Sequence, residues 1–273
     1  MSNKKKTFTN GLVEGVIDSQ VYQDIRRSFA RETISFIKHG NISITNVNPK
    51  LISRVQFTEA EISPFHKHNI DCNDTPPSAF VRKSSTPQFI NQRMDFATIK
   101  QVLVDSYAMN VSGTRPYPSA GGLYPVEPLV FLFAEKMNGF PNARSGCYHF
   151  RPISKKLQLI KELNMQHFYE KMLHEFVGTD ANCWPNFCVL YVAHLTKAIF
   201  KYRYRGYRHA LMEAGSMYQQ ATLISQQNNL RTTVWSTFSE QQMLYELSLD
   251  HGTYLPLTMQ LFGYGEQNEP AQI

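Results

Sequence analysis

The run Phe200–Arg208 reads F-K-Y-R-Y-R-G-Y-R, so Lys201, Arg203, Arg205 and Arg208 interleave with Tyr202, Tyr204 and Tyr207. Three kinds of behaviour fit it. A tyrosine phenol ordinarily ionises at a pH of about 10, and an ammonium beside it favours the phenolate. Tyr202 is then a usable general base, with Lys201 as its electrostatic activator. Arginines among aromatic rings also suit nucleic acid, where guanidiniums meet phosphates and rings stack on bases. The third reading is structural, with the tyrosines packed inward beneath a solvated basic face.

A second stretch, Arg115–Glu127, reads R-P-Y-P-S-A-G-G-L-Y-P-V-E. Pro116, Pro118 and Pro125 each hold φ at about −65°, so the segment is stiff before anything binds it. Gly121 and Gly122 lack a Cβ and let main chain approach a flat ligand or another backbone. A stiff loop of bare peptide groups suits a planar cofactor; a plain structural turn is the competing reading. Ahead of it, Arg82-Lys83-Ser84-Ser85 sets two cations beside hydroxyls, as a phosphate site or a solvated basic turn would.

Other chemistries lack their patterns. Ser119 sits in P-S-A, not in G-x-S-x-G. There is no HExxH, and His66 and His68 read as loop residues. The cysteines Cys72, Cys147, Cys183 and Cys188 form no CxxC pair, so no metal site is expected and free thiols are. Neither GxGxxG nor GxxxxGK[ST] is present, and the dinucleotide and P-loop readings fall with them.

These residues must be carried by a globular chain: 273 residues, 42% hydrophobic and 18% charged, enough for one large domain or two modest ones. A net charge of +6 permits an acidic partner, an anionic cofactor or nucleic acid, and selects none of them. The start M-S-N-K-K-K-T-F-T-N has no apolar region behind its basic cluster, unlike a signal peptide. The runs Leu129–Ala134 and Phe187–Ala193 are too short to span a membrane. A soluble, cytoplasmic protein is expected.

Periodicity places the elements. Asp18 caps a helix to about His39, with Gly40 as its stop. A β-like piece at Ile42–Val47 follows in an irregular stretch, and the loop Asn73–Pro77 marks a soft boundary between regions 1–77 and 78–273. Asp95 caps a second helix to about Met109. Leu129–Ala134 and Asn186–Leu195 read as strands buried on both faces, and Tyr148–Phe150 as another, entered by a turn at Ser145-Gly146. Residues 163–177 read as a helix. From His209 to about Asn228, Ala210, Ala214, Met217, Tyr218, Ala221 and Ile224 trace one apolar stripe. Gly215 inside it implies a close approach by a helix or ligand. Ser239 and Gln242 make a capping box, and Leu257, Met259 and Leu261 alternate with polar residues as a half-buried strand does. Irregular crossovers point to an α+β fold.

Taken together, the two motifs, the second extended through H-A-L-M-E-A-G-S-M-Y-Q, resemble the flavin-dependent azoline dehydrogenases of thiazole/oxazole-modified microcin biosynthesis, in the nitroreductase-like superfamily. The resemblance covers residues 80–273. It implies an α+β fold with a central, mainly antiparallel sheet flanked by helices, and a homodimer with FMN at the subunit interface. It implies cyclodehydratase subunits of an azole synthetase as partners and a precursor peptide as substrate, whose thiazolines and oxazolines become thiazoles and oxazoles. Lys201 and Tyr202 match the catalytic pair. Arg115, with Pro118, Ser119, Ala120, Gly121 and Gly122, matches the loop against the flavin ring. Arg82 and Ser84 match the phosphate motif, although Thr86 and Pro87 stand where a second arginine is expected. Gln219 and Gln220 match the helix at the dimer interface, and Ser236 and Thr237, after Trp235, a segment near the flavin. With a phosphate-bearing cofactor accounting for the charge, no nucleic-acid or membrane partner is expected. An NAD(P)H-dependent nitroreductase or flavin reductase acting on small molecules is the alternative with the same fold and cofactor.

Overall fold

The computed structural model describes residues 8, 10–33, 47–60, 62, 65, 70, 72, 75, 82–86, 88–141, 144–173 and 181–265. Contacts divide the chain into two bodies, Met1–Ser35 with Arg82–Ile273, and Phe36–Val81. Along the chain the elements are α1 (Ser19–Glu32), α2 (Pro49–Gln56), β1 (Met94–Asp95), α3 (Phe96–Tyr107), β2 (Val126–Leu132), β3 (Met137–Asn138), β4 (Gly146–Arg151), β5 (Lys156–Glu162) and α4 (Met165–His167). Then come β6 (Phe187–His194), α5 (Leu195–Tyr202), α6 (Tyr204–Gln227), β7 (Arg231–Trp235), α7 (Glu240–Glu246) and β8 (Tyr254–Gly263).

Six strands make one sheet in the order β5-β4-β2-β6-β8-β7, antiparallel at every pairing. The fold is α+β, as the element order implied. All eight residues of β6 are buried, because both faces of the sheet are covered. Val130, Leu132, Val189, Tyr191 and Phe262 belong to a core shared with Val21 and Ile25 of α1, Ile99 and Leu103 of α3, and Ala210 and Met217 of α6. Phe131, Cys188, Leu190, Met259 and Leu261 join a second core with Phe168, Trp184, Phe238 and Met243. Continuous apolar runs are the sequence's answer to that double burial.

Several expectations are corrected. The first helix ends at Glu32; Thr33 turns extended, and its amide and hydroxyl both donate to Phe29 O, at 3.1 and 2.9 Å. Asp95 stands at the start of α3 but makes no capping bond; its carboxylate accepts from Asn138 Nδ2 at 3.4 Å. Among the described residues of 163–177, the helix is α4 and a π-helical turn at Phe168–Met172. The final strand β8 is not half-buried from Met259 onward. Gln260 is enclosed, its Oε1 accepting from the Tyr191 hydroxyl at 2.6 Å and its Nε2 donating to Thr222 Oγ1 at 3.0 Å. A buried amide so satisfied is tolerated inside a sheet. In the second body, α2 occupies a stretch that reads as irregular; Asn48 accepts from the Lys50 amide at 2.9 Å, and Pro49 opens the helix. The remainder of residues 163–177 beyond 173, Gly40, the piece beginning at Ile42, His66, His68 and most of the loop at 73–77 lie outside the described residues.

The close approach expected at Gly215 falls instead at Gly206. A Cβ at Gly215 would meet only Tyr218, at ordinary contact distance, whereas at Gly206 it would lie 2.0 Å from Ala198 O. Gly206 therefore lets α6 fold back hard against α5. Gly206→Ala should cost about 2 kcal/mol or more, since backbone on both sides must yield; denaturant unfolding of the two proteins checks it.

Candidate active site

The site is built around the elbow between α5 and α6. Its hinge is Arg203, at φ 51° and ψ −131°, a conformation that residues with a Cβ adopt only under constraint. The constraint is visible. Arg203 Nη2 pairs with Asp18 Oδ2 of α1 at 2.6 Å, and the Tyr204 hydroxyl donates to Asp24 Oδ2 at 2.5 Å. Tyr207 packs against the helical core. Of these, only Tyr207 packs inward as the structural reading expects; Tyr204 and Arg203 stay exposed and are tied to Asp24 and Asp18 through their polar atoms. Lys201, Arg205 and Arg208 remain exposed, and Tyr202 is half-buried.

Bending the chain here turns Lys201 and Tyr202 onto the proline-glycine loop. Gly121 has φ 62°, and a Cβ there would sit 2.6 Å from Tyr202 Oη and 3.1 Å from Lys201 Nζ. The two motifs, some eighty residues apart in sequence, thus close on each other where Gly121 lacks a side chain. Pro118, Gly121 and Gly122 are exposed, and Ser119 and Ala120 half-exposed, so the loop presents bare peptide surface beside the lysine and the phenol.

The loop is fixed from behind by groups that sequence reasoning missed. Ser119 Oγ accepts from the Tyr124 amide at 2.8 Å and donates to the buried Glu213 of α6. Glu213 Oε1 also accepts from the Val126 amide at 3.1 Å. Burial pushes the Glu213 carboxyl up to about 7, against the pull of Ser119, Val126 and the charges of Arg115 and Lys197. His209 stacks edge-on against Tyr202, ring centroids 5.0 Å apart. Arg115 is buried; its Nη1 donates to the Tyr117 hydroxyl at 3.0 Å and its guanidinium lies 4.4 Å from the Tyr124 ring centre. The signal for Glu213 was its place: three residues after Ala210 and four before Met217, it falls on the buried stripe, where an acid needs a reason.

A second clamp joins β2 to α5. Lys197, one turn before Lys201, donates to Glu127 Oε1 at 3.0 Å, and His149 Nε2 meets Glu127 Oε2 at 3.1 Å. Burial alone would raise the Glu127 carboxyl; the His149 bond and the charges of Lys197, His149 and Arg115 overcome it and hold the group at about 2.

The remaining expected residues lie elsewhere. Arg82 and Ser84 are exposed. The Lys83 amide between them donates to Gln226 Oε1 at 3.1 Å, and Arg231 Nη2 donates to Ser84 O at 3.0 Å. They meet the far end of α6, thirteen residues beyond Glu213, or about 20 Å along the helix. Gln219 is exposed on α6. Ser236 is exposed after β7, and Thr237 O accepts from the Trp235 indole at 2.8 Å.

This geometry has counterparts. No family model matches the sequence. The chain is 37% identical over 175 residues to the microcin B17-processing protein McbC of Escherichia coli, a match spanning 63% of this chain and 62% of McbC. It superposes on a chain of the E. coli microcin synthetase McbBCD complex with truncated pro-MccB17 bound, with a TM-score of 0.82, 28% identity, and coverage of 97% of this chain and 100% of that one. Over the 175 matched residues the chain is similar to McbC, spanning less than two thirds of its length. A nitroreductase-class structure from Ralstonia eutropha JMP134 shares the fold at a TM-score of 0.55 and 19% identity, over 68% of this chain and 81% of that one. The fold is nitroreductase-like. Among the described residues, no helix is long and apolar enough to cross a membrane.

Glu213 gives the site a pH signature. A carboxyl raised in the fold binds its proton more tightly there than in the unfolded chain, so its contribution is fully present below pH of about 4.5 and is lost as pH rises to about 7. Glu213→Gln should therefore lose about 3 kcal/mol less than the parent protein across that window, as denaturant unfolding at a series of pH values reads directly.

Proposed function

We propose that this chain is an FMN-dependent dehydrogenase that oxidises peptide thiazolines and oxazolines to thiazoles and oxazoles during synthesis of a ribosomally made, microcin-type peptide. The observation that carries this reading is the meeting of Lys201 and Tyr202 on the bare backbone of Gly121. The residues fit a flavin. A Cβ at Gly122 would stand in open space, the peptide groups of Gly121 and Gly122 are exposed, and the exposed Lys201 stands beside them. Pro118 to Gly122 would hold the ring, with Ser236 and Thr237 as further contacts and Arg115 bracing the loop through Tyr117 and Tyr124. Arg82 and Ser84, with Arg231 against them, would hold the phosphate.

When bound, the flavin supplies the two-electron acceptor. The protein supplies the base. The proton on the azoline α-carbon is acidified by the ring C=N and the neighbouring carbonyl. Tyr202, as phenolate, removes it, and the Lys201 ammonium stabilises the phenolate before the transfer. Glu213 and Ser119 keep the loop in register with Tyr202, and the Glu127–Lys197 pair keeps α5 against the start of β2.

The spacing supports a homodimer. About 20 Å of helix separates the loop's anchor at Glu213 from the Arg82–Ser84 segment at Gln226, further than a ribityl tether reaches. One cofactor therefore draws ring contacts and phosphate contacts from different copies. The exposed α6 residues Leu211, Met212 and Gln219 offer the contact surface. The synthetase complex that holds the McbC-like chain with truncated pro-MccB17 supports cyclodehydratase subunits and a precursor peptide as the partners here. Of region 1–77, α1 braces the elbow, and the remainder is proposed to meet a partner.

The purified protein should be yellow with FMN, and each ring it aromatises should lower the mass of an azoline-bearing peptide by about two units, the two hydrogens lost. Tyr202→Phe and Lys201→Ala should keep the flavin while losing turnover by at least about 100-fold. A colourless protein that FMN does not reconstitute, or full turnover in either variant, would refute the reading. Rapid bleaching on mixing with NADPH would favour the small-molecule reductase instead.

A further inference from the structure

A cleft of about 360 Å³ opens at the end of the sheet where β2 and β5 begin and β4 ends. Arg115, Arg151, His149, His194, Lys197 and Tyr254 line it, and a neighbouring space of about 200 Å³ shares Glu127, His149, Gln158 and Tyr254 with it. Neither Gly121 nor Tyr202 reaches it. Its volume is that of a small-molecule site.

The charges in its wall do not balance. Glu127 is the one acid among the lining residues, and it is already taken by Lys197 at 3.0 Å and His149 at 3.1 Å. Arg115 is buried against a neutral hydroxyl and an aromatic ring, and its Nε has no hydrogen-bond partner. Arg151 is half-buried, and its guanidinium makes no hydrogen bond or ion pair with any described residue. A guanidinium cannot shed its proton to escape a poorly solvated place, so it is stabilised there by an anion. His194 adds no charge at neutral pH, because burial, aided by the Lys197 ammonium, pushes it down to about 4. Lys197 is matched by Glu127 and Arg115 is buried against Tyr117 and Tyr124, so the guanidinium open to a ligand is that of Arg151, whose planar fork suits one carboxylate. Around that charge the wall turns apolar: Phe8 lies edge-on to His194 at 4.9 Å, and Tyr254 lies edge-on to the same ring at 5.2 Å. Ile153 stands exposed at the rim.

We propose that this cleft is a second binding site, which takes a carboxylate joined to an aromatic or branched apolar group. Arg151 forks onto the carboxylate, and Phe8, Tyr254 and Ile153 cover the apolar part. The ligand is a free small acid, or an acidic residue or chain end of a peptide. The site stands independently of the oxidation proposed above.

The test titrates the full chain, with its cofactor, calorimetrically at pH 7. Phenylacetate should bind saturably and phenylacetamide at least ten-fold more weakly. Arg151→Gln should weaken phenylacetate at least ten-fold with unchanged melting, and Ile153→Asp, which sets an anion at the exposed rim, should do the same. Two short peptides separate the sources: one ends in a free-carboxylate phenylalanine, the other carries an internal Asp-Phe and an amidated end. Saturation by none of the three carboxylates, equal binding of the amide, or full affinity in Arg151→Gln would overturn the proposal.

Discussion

The site depends on a contact that only glycine allows: the Tyr202 hydroxyl and the Lys201 ammonium lie where a side chain on Gly121 would be. It requires the loop to be stiff, which the prolines and the Ser119–Glu213–Val126 bonds ensure. It also requires α5 to end where it does. The elbow at Arg203 meets that need at a conformational cost of about 1–3 kcal/mol, offset by the Asp18 pair and by the absence of a Cβ at Gly206. Two missing side chains, one on each side, let a phenol and an ammonium be aimed at bare backbone.

The sheet makes the arrangement durable. Of its two middle strands, β2 begins at the loop and β6 ends at α5, and the antiparallel pairing from Val126↔Ala193 onward puts both junctions at the same end of the sheet. The Tyr107–Tyr191–Gln260–Thr222 chain of hydrogen bonds runs from α3 through β6 and β8 to α6. It ties both helical partners to the sheet through a fully enclosed polar path. Such a network fixes register, because every member loses its partner if one slips.

What the sequence made legible follows the same physics. Central strands were readable because double burial writes itself as unbroken apolar runs, as in Phe187–Ala193. The edge strands β5, K-L-Q-L-I-K-E, and β7, R-T-T-V-W, escaped notice because one side of each faces solvent or helix ends and their residues are mixed. Gln260 disguised a central strand as a half-buried one. In the site, Lys201, Tyr202 and the Pro118–Gly122 loop were readable as local motifs. Glu213, His209, Gly206 and the Glu127–Lys197 pair were not, since their meaning lies in contacts between segments distant along the chain. The Gly215 expectation failed for a related reason: a helical glycine signals a close approach, but not which of two glycines bears it.

The division of the chain carries a consequence of its own. The body that holds the site begins with α1, is left after Ser35 and is rejoined at Arg82, so the second body is an excursion from a scaffold already complete on both sides of it. The entropic cost of lengthening such an excursion grows only with the logarithm of its length. Residues 36–81 can therefore vary in length at little entropic cost while the elbow, the loop and the sheet stay as they are.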